Sequence, residues 1–284
     1  MQVEATAQRQ RNWCGVLALR FAVRDGRTVL AERRHEGPLY IQQPFFPGDG
    51  VCHAYLLHPP GGLAGGDELT LEARCEVGTR VLLTTPAATK FYRSNGPTSV
   101  QRQRLHVAAG AALEWLPLDT ILFGGSRAAI ETTVELERGA RFIGWEQLSL
   151  GRPLSGDRYA SGTLEQRTRI SVAGEPLLID TLRWHAGDRL LGAEWGLAGF
   201  GVCGALHVFP ADARLLAPIR EVLGAVTPSY NELRSAATLL GELLVVRCLA
   251  HSAERMRALL EQLWALVRSA VIGCAPSPPR IWRT

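Results

Sequence analysis

Lysine is nearly missing from this chain: of its 31 basic residues only Lys90 is a lysine, and the others are arginines. No polybasic run occurs, bases are interleaved with acids, and the net charge is only +4, which argues against nucleic acid as the main partner. The arginine excess accompanies abundant alanine and glycine and reads as a genomic bias. The six cysteines, Cys14, Cys52, Cys75, Cys203, Cys248 and Cys274, form no CxxC pair or tight cluster, which fits a reduced, intracellular setting. No apolar run approaches the roughly 18 residues that span a bilayer, and the polar start Met1 to Arg11 lacks an apolar signal core. A soluble, cytoplasmic protein is therefore expected. Low-complexity tracts and Pro-rich or Ser-rich linkers are also missing, so 1–284 reads as a single domain, β-rich over 1–210 with a helix and strand portion over 211–284.

What is present is a period of two. In Glu68 to Val77, Leu69, Leu71, Ala73, Cys75 and Val77 alternate with Glu68, Thr70, Glu72, Arg74 and Glu76, which predicts a half-buried strand. In Ile130 to Leu136, Ile130, Thr132, Val134 and Leu136 face one way, and Leu164 to Val172 repeats the pattern. Continuous apolar segments at Val51 to Leu57, Val81 to Leu83, Leu177 to Ile179 and Leu243 to Leu249 predict strands covered on both faces. Glycine or proline punctuates the chain about every ten residues, the spacing of a mainly β, multi-stranded sandwich or stacked-sheet domain.

About two helices are expected, both in the C-terminal quarter. Ser252 is a candidate N-cap ahead of Met256, Leu259, Leu260, Leu263, Val267 and Val271 at helical spacing, with Gly273 as the stop. The second spans about Asp212 to Leu223, where Pro218 threatens a kink or a later start.

The segment His58-Pro-Pro-Gly-Gly-Leu-Ala-Gly-Gly-Asp67 specifies backbone shape more than side-chain chemistry, since only His58 and Asp67 are ionisable. A phosphate loop is excluded because no Lys-Ser/Thr follows Gly66 and the next segment alternates as a strand instead of opening a helix. Cys52, His53 and His58 do not make one metal site, because an extended strand separates the first and last by roughly 20 Å. No GxSxG elbow is present. The stretch Thr84 to Ser94 places hydroxyls, Lys90 and Arg93 in a loop at the end of an apolar strand. A further loop is expected over Gly144 to Tyr159, with Glu146 beside Trp145. If buried, Glu146 has to be neutral, hydrogen-bonded or paired with arginine. Asp180, straight after an apolar run, poses the same choice between a structural ion pair and a hydrated cation path.

The ordered motifs His58 to Asp67, Thr84 to Ser94, Leu116-Pro-Leu-Asp-Thr120, Leu150-Gly-Arg-Pro153 and Pro279-Arg-Ile-Trp282 resemble the urease accessory protein UreD (UreH) family over nearly the whole chain. The resemblance implies a largely β, non-catalytic maturation factor that binds apo-urease. Together with UreF and the GTPase UreG, it would help deliver nickel to the dinuclear urease site. It implies a heteromeric complex with UreF, 2:2 being one stoichiometry, and no tightly bound cofactor, nickel passing only transiently. Tunnel-type polar positions of the family fall on Asp67, Thr89, Glu146 and Asp180, with threonine where serine is expected at 89 and glutamate where aspartate is expected at 146. His58, Gly61, Gly62, Gly66, Lys90, Tyr92, Arg93 and Arg152 are further motif residues.

Two other classes fit the residues less closely. One is a β-sandwich hydrolase collecting Asp67, Glu146 and Asp157 as an acid/base set. The other is a β-rich ligand-binding module stacking its ligand on Trp115, Trp145 and Trp184.

Overall fold

The structure, a computed structural model, describes residues 12–226 and 232–283. The segment Met1 to Arg11, read above for a signal core, lies outside them. The chain first lays down β1 (Cys14–Arg24), β2 (Arg27–Glu36), β3 (Tyr40–Ile41) and β4 (Cys52–Leu57). It then shuttles between two sheets through β5 (Glu68–Cys75), β6 (Arg80–Thr84), β7 (Thr89–Phe91), β8 (Ser99–Val107) and β9 (Ala112–Leu116). β10 (Thr120–Leu122), β11 (Ser126–Leu136) and β12 (Arg141–Leu150) continue that course. The hairpin of β13 (Gly162–Val172) and β14 (Glu175–His185) precedes a single helical turn, α1 (Arg189–Gly192). β15 (Val202–Phe209), α2 (Ala213–Val226), the hairpin β16 (Leu233–Leu240) and β17 (Leu243–Ala250), and α3 (Ala253–Val271) follow.

One sheet has the order β14-β13-β11-β8-β5-β1-β2. The other runs β16-β17-β15-β12-β9-β6-β4-β3, with β10 on β12 and β7 on β10. The stacked-sheet expectation is met, but the pairing is largely parallel, from β1 through β5, β8 and β11 to β13 and from β4 through β6 and β9 to β12. Parallel neighbours need a crossover connection, usually a helix. Here a strand of the opposite sheet takes that place, so successive coils stack. Their corners stack too: Gly110 N–H donates to Gly139 O at 3.1 Å, both residues at positive φ, which glycine adopts without a Cβ penalty.

The coverage of each sheet explains the two strand types in the sequence. α2 and α3 cover the outer face of the ten-stranded sheet, packing Ile219, Leu223, Met256, Leu260, Leu263 and Trp264 into one cluster with Leu82, Trp145, Leu206 and Val246. Its strands β4, β6, β9 and β12 are therefore covered on both faces and mostly apolar. The seven-stranded sheet has water on its outer side, so β5 and β11 alternate. Two expectations fail at its margins: Ile179 is 63% exposed because β14 is an edge strand, and Val77 is 68% exposed because β5 ends at Cys75.

α3 begins as expected, with Ser252 Oγ accepting the Arg255 N–H at 3.2 Å. α2 runs through Pro218 without a later start, capped by Asp212 Oδ1 on the Arg214 and Leu215 N–H groups. α1 was not foreseen. Two expected loops are strands: Thr89–Phe91 pairs in parallel with β10, and Gly144 to Leu150 belongs to β12.

Beneath α3, a buried network ties helix to sheet. Arg268 Nε and Nη2 lie 3.0 Å from Glu114 Oε1 and Oε2, and Nη2 also reaches Asp49 Oδ2 at 2.8 Å. Trp264 Nε1 donates to Glu114 Oε1 at 2.6 Å, and His53 Nε2 lies 3.3 Å from Asp49 Oδ2.

Candidate functional site

The space between the sheets is apolar except along one row. One hydrophobic cluster contains Leu17, Val134, Phe142 and Ile170, and another contains Leu63, Ile130, Leu164 and Trp184. Between them, strand register places Gln103, Thr132, Thr168 and Asp180 side by side on β8, β11, β13 and β14. Register in the facing sheet sets Glu146 of β12 opposite Ala205 of β15, which is opposite Arg247 of β17. The two rows meet. Thr132 Oγ1 donates to Glu146 Oε1 at 2.8 Å, Gln166 Nε2 donates to Oε2 at 2.8 Å, and Thr168 Oγ1 lies 3.1 Å from Oε2. Arg247 Nη2 donates to Asp180 Oδ2 at 2.7 Å.

Of the states open to a buried Glu146, the structure selects hydrogen bonding by neutral donors; no arginine contacts it among the described residues. Burial pushes its pKa above the usual carboxylate range, Thr132 and Thr168 pull it back, and the nearby Asp180 carboxylate adds to the rise. Neutral donors cannot replace the hydration lost by a charge in the interior, so this carboxyl is poised to take up a cation or a proton. The side chain lies deep in the fold yet keeps part of its surface on a cavity.

Four cavities, three of them touching this row, follow one another through shared lining residues. A half-open cleft of about 220 Å³ lies near His58, Pro59, Gly61 and Thr89. Constrictions of about 50 and 40 Å³ follow past Gln101, Gln103 and Trp115, the second reaching Thr132, Glu146 and Gln166. A wider cavity of about 410 Å³ holds Glu146, Thr168, Asp180 and Arg247. Thr85 and Thr89 line the first three, and Glu146, Leu148 and Gln166 line the last two, so neighbouring cavities share walls. The constrictions hold only a few waters. A separate concavity of about 890 Å³ on the solvent face of the seven-stranded sheet is walled by charges that include the Arg104–Glu72 and Arg20–Glu32 ion pairs.

Thr89, Glu146 and Asp180 thus lie on one line of cavities, whereas Asp67 is not among the residues that line them. Its Oδ1 accepts the Trp13 N–H at 2.9 Å and its Oδ2 the Ala64 N–H at 2.8 Å, closing the glycine-rich loop. That loop presents His58 to the first two cavities, where burial lowers the imidazole pKa and Asp67 opposes the shift. Leu63 N–H donates to Lys90 O at 2.7 Å, and a Cβ on Gly62 would stand 2.6 Å from Lys90 O and from the Tyr92 ring. Gly61 and Gly66 take positive φ, Gly66 against Asn12. Tyr92 meets Phe123 edge-on, Arg152 lies 3.9 Å over Phe123, and Arg93 packs on Gly125. These motif residues hold loops together beside the row.

The other chemistries are not assembled. Asp157 accepts N–H groups of Gly124 and Tyr159, so Asp67, Glu146 and Asp157 serve three separate places instead of one acid/base set. Trp115, Trp145 and Trp184 are all buried and offer no stacking surface, because each fills a core position. Cys52 lies in the inter-sheet core, His53 in the Arg268 network and His58 at the cavity row. Among the described residues no group of three His, Cys, Asp or Glu side chains is placed to hold a metal ion.

Sequence reasoning missed Gln103, Gln166, Thr168 and Arg247. A signal existed: Gln101 and Gln103, Thr132, Gln166 and Thr168, and Asp180 interrupt the inward apolar phase of four strands. Only strand order and register turn those scattered interruptions into a row.

Residues 14–283 match the family described as UreD urease accessory protein. The chain is 48% identical over 273 residues to the urease accessory protein UreD of Alkalilimnicola ehrlichii, covering 96% of this chain and 92% of that one. Identity to the protein of the same name from Pseudomonas entomophila is 45% over 280 residues, covering 98% and 96%. For the Ralstonia nicotianae protein it is 41% over 281 residues, covering 96% and 95%.

Proposed function

Because this chain belongs to the UreD urease accessory protein family, we propose that it is a non-catalytic scaffold for urease maturation and conducts nickel along the polar row between its sheets. In this reading UreF and the GTPase UreG assemble with it, apo-urease receives the ion, and the row connects the His58 mouth to the Asp180 mouth. The observation that carries it is the placement of Thr89, Glu146 and Asp180 on a series of cavities that share lining residues, with the Glu146 carboxylate on the wall common to the smallest and the largest of the four.

The donor chemistry supports conduction over storage. Carboxylate, hydroxyl and amide oxygens hold Ni²⁺ less firmly than imidazole or thiolate clusters, so an ion meeting them singly moves on. Burial makes Glu146 favour a positive partner, and the small cavities beside it have room for only a few waters around an ion. No helix among the described residues is long and apolar enough to cross a membrane.

Co-expression with UreF, UreG and apo-urease tests both halves of the proposal. Glu146→Ala should leave the accessory complex intact on purification while lowering the nickel content of the recovered urease. Wild-type nickel content with an intact complex would refute conduction, and failure to bind either UreF or urease would refute the scaffold role.

A further inference from the structure

The concavity on the solvent face of the seven-stranded sheet stands apart from the polar row, and none of its lining residues lines any of the four cavities described above. Register explains its shape. Arg34 of β2, Ala18 of β1, Glu72 of β5, Arg104 of β8 and Thr133 of β11 lie in one line across neighbouring strands. The small side chains of Ala18 and Thr133 leave a hollow of about 890 Å³ between the long ones.

The charges on its walls are not balanced within the fold. Arg20 is held twice, by Glu32 and by Glu76, and Arg104 Nη1 meets Glu72 Oε1 at 3.0 Å. Arg34 and Arg74, both exposed, make no hydrogen bond or ion pair among the described residues. Arg74 also stands directly opposite Arg20 in the pairing of β1 with β5. Like charges directly opposite one another destabilise a sheet, and no carboxylate among the described residues reaches Arg74 to offset this. The sheet therefore presents two uncommitted guanidiniums, and free donors on Arg104, around a floor that includes Ala18.

We propose that this face docks an extended acidic segment of a protein partner, with its carboxylates on Arg34, Arg74 and Arg104 and its backbone crossing over Ala18. Size and charge select that occupant. A small inorganic anion fills only a fraction of the hollow, and a nucleic-acid strand, with a phosphate every few ångströms, would bring some of them onto Glu32, Glu72 and Glu135 of the same walls. Neighbouring strands lie about 4.8 Å apart, so Arg34 and Arg104, three strands apart, are separated by about 14 Å at the backbone. Carboxylates four residues apart on one face of an extended chain, about 13–14 Å, match that span, and the side chain between them passes over Ala18 and Glu72. Guanidinium forks suit carboxylates because each makes two parallel bonds. The proposal rests on the scaffold half of the reading above and adds to it a contact that leaves both mouths of the row free.

The test is fluorescence anisotropy of a labelled peptide of alternating glutamate and alanine, titrated with the full chain co-purified with UreF. Wild type is compared with Arg34→Glu plus Arg74→Glu, and with Arg127→Glu plus Arg169→Glu, which makes the same charge change on the same sheet face outside the hollow. All four side chains are exposed, so both doubles should keep wild-type circular dichroism. The first double should weaken the peptide by about ten- to hundredfold, because two attractions become two repulsions, and the control by less than about threefold. Wild-type affinity should fall as salt is added. No peptide binding by wild type, or equal losses in the two doubles, overturns the proposal. Tighter binding of poly(U) RNA than of the peptide at equal charge overturns it in favour of nucleic acid. On co-expression with UreG and apo-urease, the first double should lose one of them from the purified complex. If it loses the peptide while UreF, UreG and apo-urease all stay bound, the docking face stands and its place in the urease scaffold fails.

Discussion

Replacing Glu146 by glutamine separates the cost of a buried charge from the value of an acceptor, and should yield a protein that is more stable and less able to load urease. The wild-type carboxyl accepts from Thr132 and Gln166, each at 2.8 Å, and from Thr168 at 3.1 Å. A glutamine can keep both threonine bonds with its own carbonyl oxygen, and its amide is satisfied if the Gln166 amide flips to present oxygen. Glu146→Leu keeps no acceptor. Thr132 then falls back on Gln103 Oε1 at 3.2 Å, leaving two donors to the cavity. At roughly 1 kcal/mol per lost hydrogen bond, the leucine variant should lose about 2 kcal/mol.

The pH dependence distinguishes the variants further. Burial raises the folded-state pKa of Glu146. Its stabilising contribution is then full below the unfolded-state value and is lost as pH rises through the raised one. Glu146→Gln lacks that loss, so its advantage over wild type should appear above the ordinary carboxylate range and vanish in acid. Urea denaturation from pH 4 to pH 8 (roughly the span between carboxylate and histidine titration) measures the stability difference, and metal analysis of co-expressed urease measures delivery. Full nickel loading by Glu146→Gln would refute the role of charge in conduction. Lower stability of Glu146→Gln than wild type at neutral pH would refute the buried-charge argument itself.

Other perturbations follow from the same contacts. Arg268→Leu strands the Glu114 carboxylate, 1% exposed, with only the Trp264 N–H, and should cost about 3–5 kcal/mol by denaturant titration; the pair Glu114→Leu with Arg268→Leu should recover much of it, and simple additivity would contradict that account. Asp119, raised by burial to about 6 despite the Ser149 hydrogen bond, should make stability fall as pH rises through that value. Asp119→Asn should flatten the slope, and an unchanged slope would assign the titration elsewhere. Asp67→Leu removes two acceptors from a partly exposed loop and should lower stability by about 1–2 kcal/mol, with urease nickel unchanged per unit of folded complex. Reduced nickel loading at equal folded amount would place Asp67 on the route after all.

Local patterns were legible before the fold was. Alternation in Glu68 to Cys75 and Ile130 to Leu136 marks one sheet's wet outer face, and continuous apolar runs such as Val81 to Leu83 mark the sheet that helices cover. The Ser252 cap and its apolar stripe define α3 because capping and helical periodicity are contacts within a few residues. The motif order set Thr89, Glu146, Asp180 and Asp67 on one footing, and only the structure separates the first three, which line cavities, from Asp67, since spacing along a chain does not report whether a carboxylate's oxygens are taken by backbone N–H groups. Tertiary structure alone decided the parallel pairing and the register that puts Gln103, Thr132, Thr168 and Asp180 in one row. It also decided that Glu146 faces hydroxyls and an amide while Arg247 goes to Asp180. Those facts depend on which strands lie side by side and which sheets face each other, a choice made by long-range packing that no local periodicity encodes.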